Sequence, residues 1–454
     1  MNISQFTHIY LLGIGGIGMS ALARYFMANN KVVAGYDKTS SPLTQLLENE
    51  GASIHFEDDI SKINPAFLNK KNVLVIYTPA VPAKHTELNY YKANAFTLLK
   101  RSQVLGILSR DKNCIAIAGT HGKTTVSSMT AHILNNGKGC NAFLGGIASN
   151  YNSNLIINEN SPNLVVEADE FDRSFLQLFP NTALITSMDA DHLDIYSNHQ
   201  GLEESFQKFV DQIQENGQLL IKFGLEKNIK TKHRVYTYSL NNTNADFKIE
   251  NLQLHDGNYQ FTILGPSLKI ENVKVGMPGR LNVENALAAA AAAHLNGEDS
   301  EFIKTALASF KGVKRRMEYI VKRKDLIYID DYAHHPEELK ASILSVKELY
   351  PDKKLTGIFQ PHLFSRTRDF MDGFAESLAL LDRLILLEIY PAREEPIAGI
   401  NSGVLLDKTK LKEKILLRKE QLVPYLKEQK PGLILSLGAG DIDRLVEHIK
   451  TAFA

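Results

Sequence analysis

The stretch that most constrains the fold runs from Ile115 to Thr125 and reads Ile-Ala-Ile-Ala-Gly-Thr-His-Gly-Lys-Thr-Thr. Its apolar beginning predicts a buried strand, its glycines predict a loop, and the residues after Lys123 have the periodicity of a helix. A glycine loop that leads into a helix N-terminus suits phosphate, because its backbone N–H groups and the helix dipole both favour an anion. The sequence therefore predicts a nucleoside triphosphate site here.

Individual residues of this loop receive predicted roles from the chemistry of phosphate loops. Lys123 is expected to reach the β- and γ-phosphates, and the Thr124 hydroxyl is expected to hold Mg²⁺. Ile117 stands where the common motif has its first glycine, so the loop is a shortened variant. The alternative is a tight turn with a surface lysine. The residues predicted to contact ATP here are Gly119, Thr120, His121, Gly122, Lys123, Thr124 and Thr125.

Length and composition limit the class of protein. A chain of 454 residues predicts several domains, and 51 basic residues balance 51 acidic ones, so the charge gives no indication of nucleic acid as a partner. Two cysteines exclude a disulfide scaffold. Since neither a secretion signal nor a run of eighteen apolar residues is present, we expect a cytoplasmic enzyme that does not bind a membrane.

A second glycine-rich motif lies near the N-terminus. The predicted strand from His8 to Leu12 is followed by Gly13-Ile-Gly-Gly-Ile-Gly18 and a helix, which is the arrangement of a diphosphate site on a Rossmann-like sheet. Asp37 ends the next strand nineteen positions after Gly18, where a ribose-binding acid is found in dinucleotide folds. These features alone also fit an NAD-dependent oxidoreductase, which is the competing hypothesis.

The middle of the chain has two apolar strands that end in acidic turns. The first ends at Glu167, and the second is followed by Asp189 and His192. Because Mg²⁺ prefers carboxylate and phosphate oxygen, Glu167 is the first candidate ligand and His192 the second. The alternative is a helix-capping cluster. Further on, Asn282 and Asn285 either cap an alanine-rich helix or bind the adenine of ATP, and the sequence does not decide between them.

The last third alternates strands and helices and predicts another Rossmann-like unit. Polar residues follow four of its strands, and parallel sheets place such residues at one binding edge. The fold class is therefore α/β with three domains: a Rossmann-like N-terminal domain over 1–108, a central P-loop-type ATPase domain over 109–312, and a Rossmann-like C-terminal domain over 313–454.

With these motifs together, the chain resembles the Mur ligases almost from end to end. Two differences from the family pattern are Leu281, where a histidine is expected, and Leu363, where an arginine is expected. The segments that carry the resemblance are Gly13–Ser20, Gly119–Thr125, Glu167–Glu170, Asp189–His192, Val313–Arg316, Asp330–Pro336, Gln360–His362, Ser365–Asp369 and Leu437–Ile442.

The resemblance implies ATP- and Mg²⁺-dependent amide synthesis through an acyl phosphate. The expected substrates are UDP-N-acetylmuramate and L-alanine, with attachment of a recycled tripeptide to the same nucleotide sugar as the alternative. We expect a monomer or a weak homodimer. The implied UDP-sugar contacts are Gly15, Gly16, Ile17, Gly18 and Asp37.

The remaining roles also follow from the resemblance. Thr124, Glu167 and His192 would bind metal, and His362 and Arg366 would bind the amino acid. Lys123, His192, Arg316 and His334 would be catalytic. Besides the phosphate loop, the ATP contacts would be Asn282, Asn285, Arg316 and Asp331.

Overall fold

The computed structural model describes residues 3–170, 173–189, 199–255, 258–392 and 394–453. These residues form three sheets of five, ten and six strands, which confirms the prediction of three α/β domains. By compactness the chain divides into two units. Unit one comprises Met1–Glu250, Thr262–Glu271 and Asn285–Leu307, and unit two comprises Asn251–Phe261, Asn272–Glu284 and Ala308–Ala454. Among the described helices, none combines the length and apolar character needed to cross a membrane.

The first sheet is parallel and has the order β3-β2-β1-β4-β5, which is that of a nucleotide-binding half-fold. Most apolar residues of its three central strands are buried, as expected for a sheet covered by helices, whereas the edge strands are half-buried or exposed. Its strands are β1 (His8–Leu12), β2 (Val32–Tyr36), β3 (Ser53–His55), β4 (Val73–Tyr77) and β5 (Thr97–Lys100). Its helices are α1 (Ile17–Ala28), α2 (Pro42–Asn49), α3 (Thr86–Ala93) and α4 (Arg101–Arg110).

The second sheet has the order β15-β14-β13-β12-β11-β10-β6-β9-β7-β8. Strand β6, which precedes the phosphate loop, lies parallel between β9 and β10. The strands are β6 (Asn113–Ala118), β7 (Asn141–Ala148), β8 (Ser153–Ile156), β9 (Asn163–Glu167), β10 (Thr182–Ile185), β11 (Gln218–Lys222), β12 (Arg234–Ser239), β13 (Phe247–His255), β14 (Asn258–Gly265) and β15 (Leu268–Lys274). The helices that accompany it are α5 (Lys123–Asn136), α6 (His199–Val210), α7 (Arg280–Leu295) and α8 (Ser300–Ser309).

The first two sheets share one apolar core within unit one. Ile9 of β1, Cys114 of β6 and Phe175 belong to the same buried cluster. Polar contacts reinforce this contact at α1, where the Asn154 side-chain amide donates to the Ile17 carbonyl over 2.5 Å and accepts from Arg24 Nη1 over 2.8 Å. Helix α1 is thereby held between the two sheets, and the glycine loop that precedes it is fixed relative to the central sheet.

The third sheet has the order β16-β17-β21-β18-β19-β20 and is parallel except for β16. Apolar clusters cover both faces, so the polar residues are concentrated at the strand ends. The strands are β16 (Glu318–Lys322), β17 (Ile327–Asp331), β18 (Thr356–Phe359), β19 (Arg383–Leu387), β20 (Lys414–Leu417) and β21 (Leu433–Leu437). The helices are α9 (Pro336–Leu349), α10 (Phe364–Asp369), α11 (Met371–Leu378), α12 (Ser402–Lys408), α13 (Lys419–Gln429) and α14 (Asp443–Ala452).

Candidate active site

The phosphate loop joins β6 to α5 and depends on glycine at two positions. Gly119 has a φ of +134° and Gly122 a φ of +82°, which are conformations that side chains disfavour. A β-carbon at Gly119 would also overlap the Thr186 hydroxyl, and a β-carbon at Gly122 would lie 3.1 Å from Asn285 Oδ1. The loop is thus packed closely against the ends of neighbouring elements. Thr125 is buried in the first turn of α5.

Two hydroxyl residues after β10 fix the shape of this loop. The Thr186 hydroxyl lies 2.5 Å from the His121 carbonyl oxygen, and the His121 N–H donates to Ser187 Oγ over 2.7 Å. Thr120 Oγ1 lies 2.9 Å from the same Ser187 oxygen. Thr186 and Ser187 were not predicted as site residues. Their sequence signal is a polar pair at the end of an apolar strand, which does not reveal that β10 lies beside β6.

Lys123 is held by a buried carboxylate. Its ammonium lies 2.8 Å from Glu170 Oε1 and donates to the Gly119 carbonyl over 2.6 Å, while the Glu170 side chain is 0% exposed. Burial alone would lower the pKa of Lys123, but the carboxylates of Glu170, Asp169 and Glu167 outweigh it and raise the pKa above its usual value. Lys123 is therefore charged at neutral pH and lies within the loop. The predicted role of Lys123 did not include Glu170 as its partner.

Thr124 and Glu167 form the described part of the predicted metal site. The Thr124 hydroxyl donates to Glu167 Oε1 over 3.1 Å, and the Gly145 N–H donates to Glu167 Oε2 over 3.0 Å. A β-carbon at Gly145 would overlap this carboxylate, so glycine makes room for it. A hydroxyl and a carboxylate are hard oxygen donors, and they fit Mg²⁺, which needs few protein ligands. His192 lies outside the described residues.

The glycine loop of the first sheet is closed by an acid. The Gly15 N–H donates to Asp37 Oδ2 over 2.8 Å, and the Gly16 N–H donates to the Gly13 carbonyl over 3.2 Å. The structure therefore brings Asp37 to the loop, as the spacing predicted, but its carboxylate bonds to the backbone. Ile17 is 37% exposed at the beginning of α1.

In unit two, Arg316 lies in a turn between two residues with left-handed backbone, Arg315 (φ +63°) and Met317 (φ +48°). Arg315 Nη2 donates to the Gly438 carbonyl over 2.5 Å, and its Nε lies 3.4 Å from a carboxylate oxygen of Asp330. Arg315 and Arg316 both lie about 5 Å from the Tyr332 ring centre, at 5.0 and 5.1 Å. Arg315 is thus bound to residues of the third sheet and its loops, and Arg316 is the next residue of the same turn. Arg315 was not predicted.

Asp331 is the last residue of β17 and His334 follows that strand, but their side chains differ in environment. Asp331 is buried and accepts a hydrogen bond from the Ser342 hydroxyl, and burial raises its pKa to about 6. His334 Nδ1 lies 3.0 Å from the Tyr332 carbonyl, which can only accept, so Nδ1 carries the proton. Burial lowers the pKa of His334, and Arg366 and Arg316 contribute in the same direction. A neutral His334 can accept a proton at Nε2.

His362 and Arg366 lie near His334 at the carboxyl ends of β18 and β17, two parallel strands with β21 between them. Arg366 Nη1 lies 3.4 Å from His362 Nδ1, and the His362 and His334 ring centres are 6.4 Å apart. Leu363, between the two, has a φ of +70°, and its N–H donates to the Tyr390 carbonyl over 3.0 Å. The structure thus brings three predicted residues together, although their roles stay predictions.

The two asparagines near α7 have different contacts. Asn282 is buried and its side-chain amide donates to the Pro278 carbonyl over 2.6 Å, so it stabilises the chain that leads into the helix. Asn285 is also buried and faces Gly122 of the phosphate loop. Of the two predicted roles, the one at the helix start fits Asn282. Asn285 lies beside the phosphate loop, and its contact with adenine stays a prediction.

The fold and the site define a class of protein: a three-domain α/β nucleotide-binding enzyme with a phosphate loop in its central domain. Three family models match successive parts of the chain. The Mur ligase family catalytic domain matches residues 8–113, the Mur ligase middle domain residues 117–293, and the Mur ligase glutamate ligase domain residues 315–440. The chain belongs to the Mur ligase family.

Individual relatives cover the whole chain. It is 51% identical over 453 residues to UDP-N-acetylmuramate–L-alanine ligase of Parabacteroides distasonis, covering 99% of this chain and 98% of the relative. It is 49% identical to the same-named ligase of Cytophaga hutchinsonii, with 99% and 97% covered.

Two solved structures are similar over nearly their whole length. UDP-N-acetylmuramate–alanine ligase of Thermotoga maritima has a TM-score of 0.81 at 26% identity, with 98% of this chain and 99% of that chain covered. A murein peptide ligase of Psychrobacter arcticus has a TM-score of 0.69 at 25% identity, with 98% of each chain covered.

Proposed function

We propose that this chain is an ATP-dependent, ADP-forming ligase that joins L-alanine to the carboxylate of UDP-N-acetylmuramate in peptidoglycan precursor synthesis. The observation that carries the proposal is its 51% identity, over 99% of its length, to a ligase with that name. Because ATP and nucleotide sugars are cytoplasmic, the reaction takes place in the cytoplasm.

The second candidate is attachment of a peptide in place of L-alanine, which the similarity to the Psychrobacter arcticus ligase favours. Its TM-score of 0.69 is below the 0.81 of the Thermotoga maritima alanine ligase. We therefore place alanine first and make the peptide an arm of the experiment. The oxidoreductase alternative loses its support, because Mur ligase family models match successive parts of the chain from residue 8 to residue 440.

The chemistry begins at the phosphate loop. A carboxylate oxygen of the sugar attacks the γ-phosphorus of ATP, the bond to ADP breaks, and an acyl phosphate forms. Catalysis of this step needs positioning and neutralisation of charge. Lys123 supplies a cation, and its ammonium has a third N–H for a phosphoryl oxygen besides the two that point to Gly119 and Glu170. Mg²⁺ held by Thr124 and Glu167, with His192 as a predicted further ligand, would neutralise phosphate charge.

The second half-reaction needs an amine and a carboxylate site. We assign the carboxylate of L-alanine to Arg366, whose planar guanidinium can hold both oxygens, with His362 beside it. The amine attacks the acyl carbon, the bond to phosphate breaks, and a proton leaves the nitrogen. His334 is neutral and has its Nε2 lone pair for this proton. We assign to Arg316 the stabilisation of negative charge on the phosphate groups.

Phosphate release from ATP tests the proposal, with UDP-N-acetylmuramate and one amine substrate at a time. L-alanine should be used best. Glycine should be about 10- to 200-fold less efficient and serine about 100-fold, because a pocket for one methyl group discriminates weakly. Turnover with a tripeptide only would establish the second candidate, and no turnover with any amine would refute both.

The same assay with Arg366→Lys separates the amino-acid role from a phosphate role. Because lysine offers a point charge in place of a planar fork, KM for L-alanine should rise. KM for ATP should stay near the wild-type value. A rise confined to the ATP constant would move Arg366 to the phosphates.

A further inference from the structure

Arg101 lies against the glycine loop of the first sheet, at a place that no sequence motif indicates. It is the first residue of α4 and directly follows β5. A β-carbon at Gly18 would lie 2.7 Å from Arg101 Nη1 and 3.0 Å from its Cδ. Gly18 does not have the positive φ that favours glycine at Gly13, where φ is +85°. The third glycine of the motif therefore makes room for a guanidinium.

The loop itself offers an anion fewer donors than its glycines suggest. The Gly15 N–H is bonded to Asp37 and the Gly16 N–H is bonded to the Gly13 carbonyl. The Asp37 carboxylate also places a negative charge beside the loop. A side-chain cation would compensate for these two occupied N–H groups and for the carboxylate, and the guanidinium of Arg101 lies against Gly18.

The positive charge of Arg101 lies in an unfavourable position, which an anion would stabilise. A cation near the positive end of a helix is unfavourable, and Arg101 is placed at the beginning of α1. Across the described ranges, Arg101 takes part in no ion pair, and its polar contact is a long one of 3.5 Å from Nη2 to Ser174 Oγ. An anion between the guanidinium and the N-terminus of α1 would interact favourably with both.

A cavity of about 260 Å³ within unit one is lined by the chain neighbours of Arg101 and by Ser174, whose hydroxyl Arg101 contacts. Lys100, Ser102 and Gln103 line it from the first sheet, and Arg173, Ser174 and Gln177 line it from the central domain. The Arg173 N–H donates to the Glu170 carbonyl over 2.9 Å, and Glu170 is the partner of Lys123. The cavity thus adjoins both the start of α4 and the turn that follows Glu170, and it has a cation on each side, Lys100 and Arg173.

We propose that Arg101 binds the diphosphate of the nucleotide sugar, and that the cavity beside it receives the part of the substrate that extends toward Lys123. The guanidinium takes two phosphate oxygens, which suits its planar donors. This assignment rests on the proposed function and adds the residue that supplies the charge in the N-terminal domain. Gly18 serves it by leaving space.

Calorimetric titration with UDP, and with uridine as the probe without phosphate, tests the assignment. In Arg101→Gln, Kd for UDP should rise about 10- to 100-fold, since charge-assisted hydrogen bonds are lost. Kd for uridine should change less than about twofold, because uridine carries no phosphate. The matched control is Arg110→Gln, which removes the same charge from the other end of α4 and should leave both constants unchanged.

Gly18→Ala provides a second variant that keeps the charge but displaces it. Gly18→Ala should weaken the binding of UDP. The double variant Gly18→Ala/Arg101→Gln should bind UDP no more weakly than Arg101→Gln, because both changes act on one contact. An unchanged Kd for UDP in a folded Arg101→Gln variant would overturn the assignment. An equal rise in the Kd values for UDP and uridine would also overturn it. If Arg101→Gln does not fold, Arg101→Lys replaces it, and wild-type UDP affinity together with wild-type salt dependence would be the contradicting result.

The two proposals fail in different ways. A wild-type protein that binds UDP through Arg101, but releases no phosphate with UDP-N-acetylmuramate and any amine, would refute the ligase function and leave the Arg101 assignment. A protein that turns over L-alanine with an unchanged KM for the UDP-sugar in Arg101→Gln would refute the assignment and leave the function.

Discussion

The two glycine loops of unit one have the same local design but opposite charges at their centres. Each follows a buried parallel strand and leads into a helix. In the first loop the Asp37 carboxylate bonds to the Gly15 N–H, whereas in the second the Lys123 ammonium bonds to the Gly119 carbonyl. The cation beside the first loop, Arg101, comes from α4, whereas the cation of the second loop follows that loop directly. We assign binding to the first loop and reaction to the second.

Each loop domain also contains a fully buried acid, and the two acids have different partners. Glu170 faces the Lys123 ammonium. Glu87 accepts from the Tyr10 hydroxyl over 2.7 Å and lies 3.4 Å from His55 Nε2, and burial raises its pKa to about 7. Burial raises the pKa of Glu170 and the Lys123 ammonium opposes that rise, whereas among the described residues Glu87 has no cation of this kind and can take up a proton near neutral pH.

Removing the acid of the phosphate loop should have the largest effect. Glu170→Gln leaves Lys123 buried without its carboxylate, so the free energy of unfolding should fall by about 3–5 kcal/mol. Phosphate oxygens can replace the lost partner, and ADP should therefore raise the melting temperature more in the variant than in the wild type. Denaturant unfolding and thermal shift check this. An equal rise in melting temperature with ADP in both proteins would show that the phosphates do not replace the carboxylate beside Lys123.

Removing the cation should mainly affect the chemical step. Lys123→Ala should lower kcat by about 10²–10³-fold, which is typical of losing one donor to the transition state. Glu167→Ala should be partly restored by raising Mg²⁺, because its carboxylate is assigned to the metal. Steady-state kinetics across a Mg²⁺ series checks both variants. The same Mg²⁺ response in the two would contradict the division of roles between lysine and carboxylate.

Gly119 and Gly16 should differ in their tolerance of a side chain, whereas Gly13 of the first loop, with a φ of +85°, should resemble Gly119. Gly119→Ala combines a φ of +134° with overlap of the Thr186 hydroxyl, so it should cost about 2–4 kcal/mol of stability. Gly16→Ala is the matched change in the first loop, where the nearest atom to a β-carbon is 3.4 Å away. It should be close to neutral in a melting experiment. Equal losses of stability in both variants would show that the backbone conformation and the space at Gly119 and Gly16 do not decide their tolerance.

The smallest effect concerns the pH dependence of the first domain. The pKa of Glu87 rises from 4.5 to about 7 on folding, so the folded state holds its proton more tightly. Its stabilising contribution is complete below pH 4.5 and is lost as the pH rises to about 7. His55 and His85 act in the opposite direction, because burial lowers their pKa values and stability is lost as the pH falls through their range.

Glu87→Gln should remove the Glu87 part of this dependence. At pH 8 the variant should be more stable than the wild type by about 1–3 kcal/mol, and at pH 5 the difference should be small. Urea unfolding at the two pH values measures it. Curves that run parallel for the two proteins would show that the buried acid does not titrate in this range.

The sequence by itself determined the local features of both loops. Glycine spacing after an apolar run predicted each strand, turn and helix, because these depend on neighbouring residues and on the φ values that glycine permits. Polar residues at strand ends also predicted that His334, His362 and Arg366 would meet, since parallel strands end at one edge. Similarity of the motifs to the Mur ligases indicated the family.

The tertiary structure alone decided which distant residues complete these loops. Glu170, Thr186 and Ser187 reach the phosphate loop because β9 and β10 flank β6, an order that local patterns do not encode. Arg101 reaches Gly18 for the same kind of reason, from the far end of the first sheet.

Side-chain direction was also beyond the sequence. Asp330 and Asp331 are adjacent, yet one faces Ser436 and the other Ser342, because successive residues of a strand point to opposite faces. Which face a residue takes, and what lies on it, is fixed by the packing of the whole sheet. Charge pairing across the fold therefore follows from strand order and register, which a linear pattern leaves open.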